Sequence, residues 1–217
     1  MAAHDDRMPS ARAATGYSLV LPPGWVQIPL DQRAAAAIRT LLDRAFTDVP
    51  PDLPPDTVVS LRRRLEGHLK ATVAAARRTG GTELYVPTER MGGVLVPASF
   101  VVADVRPETA DGPIDDDDLV GRVVARLVAA DDTARIEVDG TPAVRTESRS
   151  APDPDRSLGV RAASRRVWYV LAVPGERGRW LAVTATVLEA EDDRDDLAGL
   201  LVELFDAVMT TFRWGAR

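Results

Sequence analysis

Residues 167–187, VWYVLAVPGERGRWLAVTATV, decide the fold. The two halves, 167–173 and 180–187, are apolar at consecutive positions rather than alternate ones, which is the composition of strands covered on both faces. Between them, Pro174-Gly175-Glu176-Arg177-Gly178 breaks any regular element and reads as the turn of an antiparallel hairpin. A hairpin covered on both faces needs a layer of other elements on each side. The flanking sequence supplies those layers.

Just upstream, 135–139 and 143–148 alternate apolar and charged residues around Gly140-Thr141-Pro142, a second hairpin with one wet face. Downstream, Leu197, Leu200, Leu201, Leu204, Phe205, Val208 and Met209 recur at helical spacing and predict an amphipathic closing helix. Further toward the N-terminus, 83–87 and 94–105 read as strands, the second bent at Pro97. Residues 115–130 return to a helical period, with Leu119, Val120, Val123, Val124, Leu127 and Val128 as a broad stripe. A long helix is expected over 56–78, its apolar positions Val58, Leu61, Leu65, Leu69, Val73 and Ala76 spaced by threes and fours before Gly80-Gly81 stops it. A shorter one, N-capped by Asp31 and carrying Ile38, Leu41, Leu42 and Phe46, precedes it across the stiff Pro-rich linker 49–55. Residues 17–21 and 25–28 are two short strands flanking Pro22-Pro23-Gly24.

The fold class is therefore α+β, an antiparallel sheet flanked by helices in an α/β/α sandwich, with a two-helix insertion at 31–80. Residues 1–15, charged and interrupted by Pro9, read as a disordered tail, and 16–217 as a single domain. Hydrophobic residues make up 45% of the 217 and charged ones 28%, a composition that can bury a core. With 33 acidic against 27 basic residues, the net charge of −6 gives no overall field for a phosphate backbone, so nucleic acid is not an expected partner. The chain has no cysteine, which removes disulfides, thiolate metal sites and thiol nucleophiles together. The longest apolar run, 92–103, is broken by Pro97 and falls short of the roughly 20 residues that span a bilayer. No membrane insertion and a cytoplasmic location are the expectations.

Chemistry-bearing motifs are few. The run Asp115-Asp116-Asp117-Asp118 offers oxygen ligands to a hard cation, but it stands at a helix start, where carboxylates cap free amides and meet the positive end of the helix dipole. His68 is the one imidazole beyond the tail, and its neighbours Glu66 and Lys70 point elsewhere on a helix, so nothing local orients it for acid–base work. No Gly-x-Ser-x-Gly elbow, dinucleotide fingerprint or Walker loop occurs. No catalytic residue, cofactor or metal is expected. Arg62-Arg63-Arg64 and Arg77-Arg78 give the long helix a basic edge, and of the four tryptophans, Trp25, Trp168, Trp180 and Trp214, the first and last lie closest to the sheet edges. Trp25, Arg62, Arg63 and Trp214 are accordingly the candidate partner surface.

Three stretches resemble the Mog1/PsbP-like family of α/β/α sandwiches, which includes bacterial lipoproteins and secretion chaperones. Residues 17–25, YSLVLPPGW, are similar to that family's first hairpin; 138–144, VDGTPAV, to its central hairpin; and 204–208 with 211–214, LFDAV and TFRW, to its closing helix and terminal strand. The two helices at 31–80 exceed what compact members carry. The resemblance implies a central antiparallel sheet with helices on both sides and a non-enzymatic protein-interaction module, an adaptor or chaperone for a secreted or membrane-associated client. It carries no catalytic motif across. The residues leave open a different class, a small-ligand carrier or sensor with a pocket between sheet and helices lined by Trp168 and Trp180. Self-association as a homodimer through the long helix or the last helix is compatible with either.

Overall fold

The structure is a computed structural model and describes residues 14–47, 53–91, 93, 96–106, 132–151, 163–176, 178–189 and 196–216. Its main sheet has seven strands in the order β2-β3-β4-β8-β7-β6-β5, each neighbouring pair antiparallel. These strands are β2 (Trp25–Pro29), β3 (Gly81–Pro87), β4 (Ala98–Val105), β5 (Asp132–Val138), β6 (Thr141–Ser150), β7 (Ala163–Ala172) and β8 (Trp180–Glu189). Strands β7 and β8, which contain the apolar runs 167–172 and 180–187, pair along ten residues near the middle of the sheet, and Val167, Leu171, Val183 and Val187 are almost wholly buried. That is the expected place for sequence with no wet face.

The alternation of side chains along β3 and β4 sorts the core into two layers. Tyr85, Phe100 and Val102 face one way and join Leu201, Val202, Phe205 and Met209 of the closing helix α3 (Leu197–Thr210). Leu84 and Val101 face the other way and meet Ile38, Leu42, Val73 and Ala76 of α1 (Ala34–Ala45) and α2 (Pro55–Arg78). Each such side chain contributes roughly 1.5–3 kcal/mol on full burial. Helices thus cover both faces, as the sandwich requires. Residues 115–130 with the Asp115 to Asp118 run lie outside the described residues.

Two expectations are corrected at the N-terminus. The strand β1 (Ala14–Ser18) starts inside the stretch read as a tail, and it does not pair with β2. It pairs instead with β9 (Arg213–Ala216) in a separate two-stranded sheet, Tyr17 opposite Trp214. Pro22 and Pro23 lack amide donors, so the segment between β1 and β2 cannot extend a ladder. It turns at Gly24, φ +78°, and delivers β2 to β3. The second correction concerns Asp31. It does not cap α1 from the N-cap position, which is Arg33. Its Oδ1 accepts the Arg33 amide at 2.8 Å in a turn before the helix, and its carbonyl accepts the Ala34 amide at 3.1 Å.

Other boundaries follow local chemistry. The β5–β6 hairpin turns at Asp139 and Gly140, both at positive φ, 49° and 72°, one residue ahead of the Gly-Thr-Pro expected from sequence. An Asp-Gly pair is the residue type a two-residue hairpin turn needs. β4 begins just after Pro97 rather than bending through it. α2 starts with Pro55 in its first turn, where the missing amide costs no hydrogen bond.

Candidate interaction surface

α2 is amphipathic by sequence, yet the sheet does not use most of its stripe. Its 24 residues run about 36 Å at the usual helical rise, further than the three strands beneath its C-terminal end extend. Val73 and Ala76, in the last third, are its buried residues. Among the described residues its first half is met by α1: the Arg62 guanidinium pairs with Asp43 and lies over the Phe46 ring at 5.9 Å, and just past the midpoint Leu69 packs with Leu41 and Phe46 in the same cluster. Leu61 and Leu65, counted in the stripe by their spacing, stay 42% and 40% exposed.

Among the described residues the exposed large apolar side chains are Val20, Leu53, Val59, Leu61, Leu65 and Leu200. Val59, Leu61 and Leu65 belong to the first half of α2, and Leu53 lies two residues before its start. Leu61 and Leu65 are one turn apart, and Arg64 and His68 follow each by three, so the four side chains form one flank. Arg64 and His68 have no hydrogen-bond or ion-pair partner among the described residues, and the same holds for Arg63 on the opposite flank. Glu66, by contrast, is held by Lys70 at 2.6 Å, and that hydrogen bond pulls its carboxyl below the usual range.

The four sequence candidates do not assemble into one patch. Arg62 is consumed by Asp43 and Phe46, while Arg63 is exposed beside it. Trp25 packs half-buried on Phe100 in the α3-side core, with no acceptor for its indole N–H among the described residues. Trp214 sits edge-on to Phe212 at 4.9 Å and donates from its indole nitrogen to Thr141 Oγ1 at 3.0 Å. Its amide donates to Asp139 Oδ2 at 2.8 Å, which ties β9 to the β5–β6 turn. Both tryptophans therefore belong to the side of the sheet away from α2. The apolar flank of Leu61 and Leu65 was not singled out by sequence because a helical stripe normally reads as core. The usable signal was the length of the stripe relative to a short sheet edge.

Three polar clusters of the interior are satisfied among their own members, while Asp104 Oδ1 and the Trp180 indole N–H are buried without a hydrogen-bond partner among the described residues. The Tyr17 and Tyr85 hydroxyls both donate to Glu83 Oε2, the second at 2.6 Å, and burial together with this carboxylate raises both phenols above their ordinary range. Arg145 of β6 donates to both oxygens of Asp206 on α3, at 3.0 and 2.9 Å, and to Glu147 at 3.0 Å. Burial alone would lower the Arg145 guanidinium, but these carboxylates outweigh it and raise it. Tyr169 completes the set with a 2.8 Å hydrogen bond to Asp206. At the other end of α3, Arg165 bridges Glu189 at 2.7 Å and Asp196 at 2.9 Å, and Asp196 caps the helix by accepting the Gly199 amide at 3.2 Å. These networks fasten a helix to a sheet. Among the described residues no group of three or more His, Asp or Glu side chains is placed to hold a metal ion.

Two of the cavities among the described residues lie along the sheet. One, about 20 Å³ and apolar, lies at the seam of α3 with Trp25, Phe100, Phe205 and Val208, room for roughly one water molecule. The other, about 130 Å³, lies between β1 and the main sheet and is lined by Tyr17, Thr82, Asp104, Arg179 and Trp214. Both fall below the roughly 300 Å³ at which metabolite pockets begin. Trp168 and Trp180 line neither; Trp180 is buried with Val144 and Val170 in a third apolar cluster. No helix among the described residues is long and apolar enough to cross a membrane.

Comparison of the sequence with protein-family models and with curated proteins found no match. Among solved structures, the chain is similar to the Ran-binding protein Mog1p of Saccharomyces cerevisiae, at 10% identity and a TM-score of 0.44 over 92% of this chain and 90% of that one. It is similar to the same degree, 10% identity and a TM-score of 0.44, to a point mutant of protein Mog1, over 96% of this chain and 97% of that one. The antiparallel α+β architecture described above rests on the strand pairing and the two helical layers of this chain itself.

Proposed function

We propose that this chain is a non-enzymatic protein-interaction module that docks a partner on the first half of α2. The observation that carries the reading is the pair Leu61 and Leu65, exposed one turn apart on a helix whose buried residues lie at its other end. Singly scattered exposed aliphatics are ordinary, whereas neighbours on one flank of a helix favour a surface meant to be covered. The interior networks around Glu83, Asp206 and Glu189 fit the same reading, since each of these carboxylates already has its donors. An adaptor or chaperone working in the cytoplasm is the form this module takes in our reading, its client reached through α2.

The test is a paired capture from lysate of the source organism, using the wild-type chain and the double variant L61S/L65S. The expected outcome is a protein partner retained in stoichiometric amount by the wild type and lost by the variant at unchanged stability. Equal retention by both chains would move the docking surface elsewhere.

A further inference from the structure

The helical layer carries a charge opposite to that of the chain. α1 and α2 together hold eight basic residues, Arg39, Arg44, Arg62, Arg63, Arg64, Lys70, Arg77 and Arg78, against three acidic ones, Asp43, Asp56 and Glu66. The whole chain holds 27 basic against 33 acidic residues, so everything outside these two helices holds 19 against 30. α1 and α2 are thus net +5 within a chain of net −6. The basic charge is also unspent where the apolar flank lies: Arg64, adjacent to Leu61 and Leu65, has no carboxylate partner among the described residues.

We infer that the flank formed by Leu61, Arg64, Leu65 and His68 receives an acidic amphipathic helix of a partner protein. This deepens the docking reading above and rests on it. Two leucines one turn apart match the anchor spacing of a helix laid alongside another. Arg64 meets a carboxylate that follows the partner's anchors by three or four residues. The basic excess on α1 and α2 attracts an acidic partner there, while the chain as a whole, at net −6, offers such a partner no general attraction. A helix is favoured over an anionic bilayer because the flank carries no Trp or Phe to enter the interfacial region. It is favoured over nucleic acid because a chain of net −6 opposes an extended phosphate backbone.

The experiment uses the full chain and two fluorescein-labelled 18-residue helical peptides, one with a Leu stripe and Glu on its remaining exposed positions, the other identical with Lys in place of Glu. Fluorescence anisotropy is expected to rise with the acidic peptide only. Binding should weaken by about tenfold or more in R64E and in L61S/L65S. R78E, on the same helix but away from the flank, should bind as the wild type does, and the acidic peptide should dissociate as salt is raised. Equal binding of the Lys peptide, lost in L61S/L65S, overturns the acidic partner while leaving α2 as a docking face. Binding of neither peptide overturns both. Binding to phosphatidylserine vesicles or to duplex DNA in place of the acidic peptide, or a concentration-dependent dimer abolished by R64E, assigns the flank to another occupant and overturns the inference.

Discussion

Removing the Asp206 carboxylate tests how α3 is fastened to the sheet. In the native structure that carboxylate accepts three hydrogen bonds, from Arg145 Nε at 3.0 Å, Arg145 Nη2 at 2.9 Å and the Tyr169 hydroxyl at 2.8 Å. Breaking a fully buried ion pair by deleting one partner costs about 3–5 kcal/mol, because the survivor is left bare. Arg145 is not left bare, since Glu147 still accepts from Nη2 at 3.0 Å, and the Asp206 side chain is itself 34% exposed. The cost of D206A should therefore fall near 2 kcal/mol, the Tyr169 hydroxyl being rehydrated at the helix margin. Urea unfolding followed by circular dichroism would show this as a midpoint lowered by about 1 M at unchanged slope. The variant R145M/D206L replaces the pair with apolar volume and should recover most of the loss. A D206A midpoint within about 0.3 M of the wild type, or a double variant no better than D206A, would refute the ion pair as the tether.

Three further outcomes follow from the same coordinates. Gly81 has no room for a methyl group: a Cβ there would sit 2.7 Å from the Ala76 carbonyl oxygen and 2.8 Å from Leu30 Cδ1, so G81A should destabilise by about 2 kcal/mol in a thermal melt. Burial by itself would raise Glu189, but Arg149 and Arg165 outweigh it and hold the carboxyl below its ordinary 4.5, so its contribution is complete above that pH and is lost as pH falls through the lower, folded value. Urea midpoints should accordingly show E189Q less stable than the wild type at pH 7, with the gap closing below pH 4.5. L61S/L65S, whose leucines face solvent, should melt as the wild type does, within about 0.5 kcal/mol.

The readable parts of the fold were those where a local pattern has one physical outcome. The short apolar runs 167–173 and 180–187, joined by a Pro-Gly turn, read as a strand pair covered on both faces, and the turn between β5 and β6 is legible to within one residue, at Gly140-Thr141-Pro142 where the chain turns at Asp139-Gly140. Pairing across long separations was not readable in the same way. Pro22-Pro23-Gly24 announces a turn, but nothing local tells β1 that its partner is β9 at the far end of the chain. The candidate surface was half legible for a related reason. Arg62 and Arg63 look alike in sequence, and only the packing of α1 on α2 brings Asp43 and Phe46 to Arg62 and leaves Arg63 free. Leu61 and Leu65 fit a buried stripe by spacing. Their exposure comes from a helix that outreaches the sheet it rests on.

The central claim, that partners dock on the first half of α2, is tested most directly by site-specific photo-crosslinking in cells of the source organism. A benzophenone amino acid is placed at position 61 in one chain and, in another, at position 200, the exposed leucine on α3 across the sheet. The account predicts a discrete crosslinked protein from position 61 and none from position 200. Crosslinking at 200 with none at 61 would contradict it.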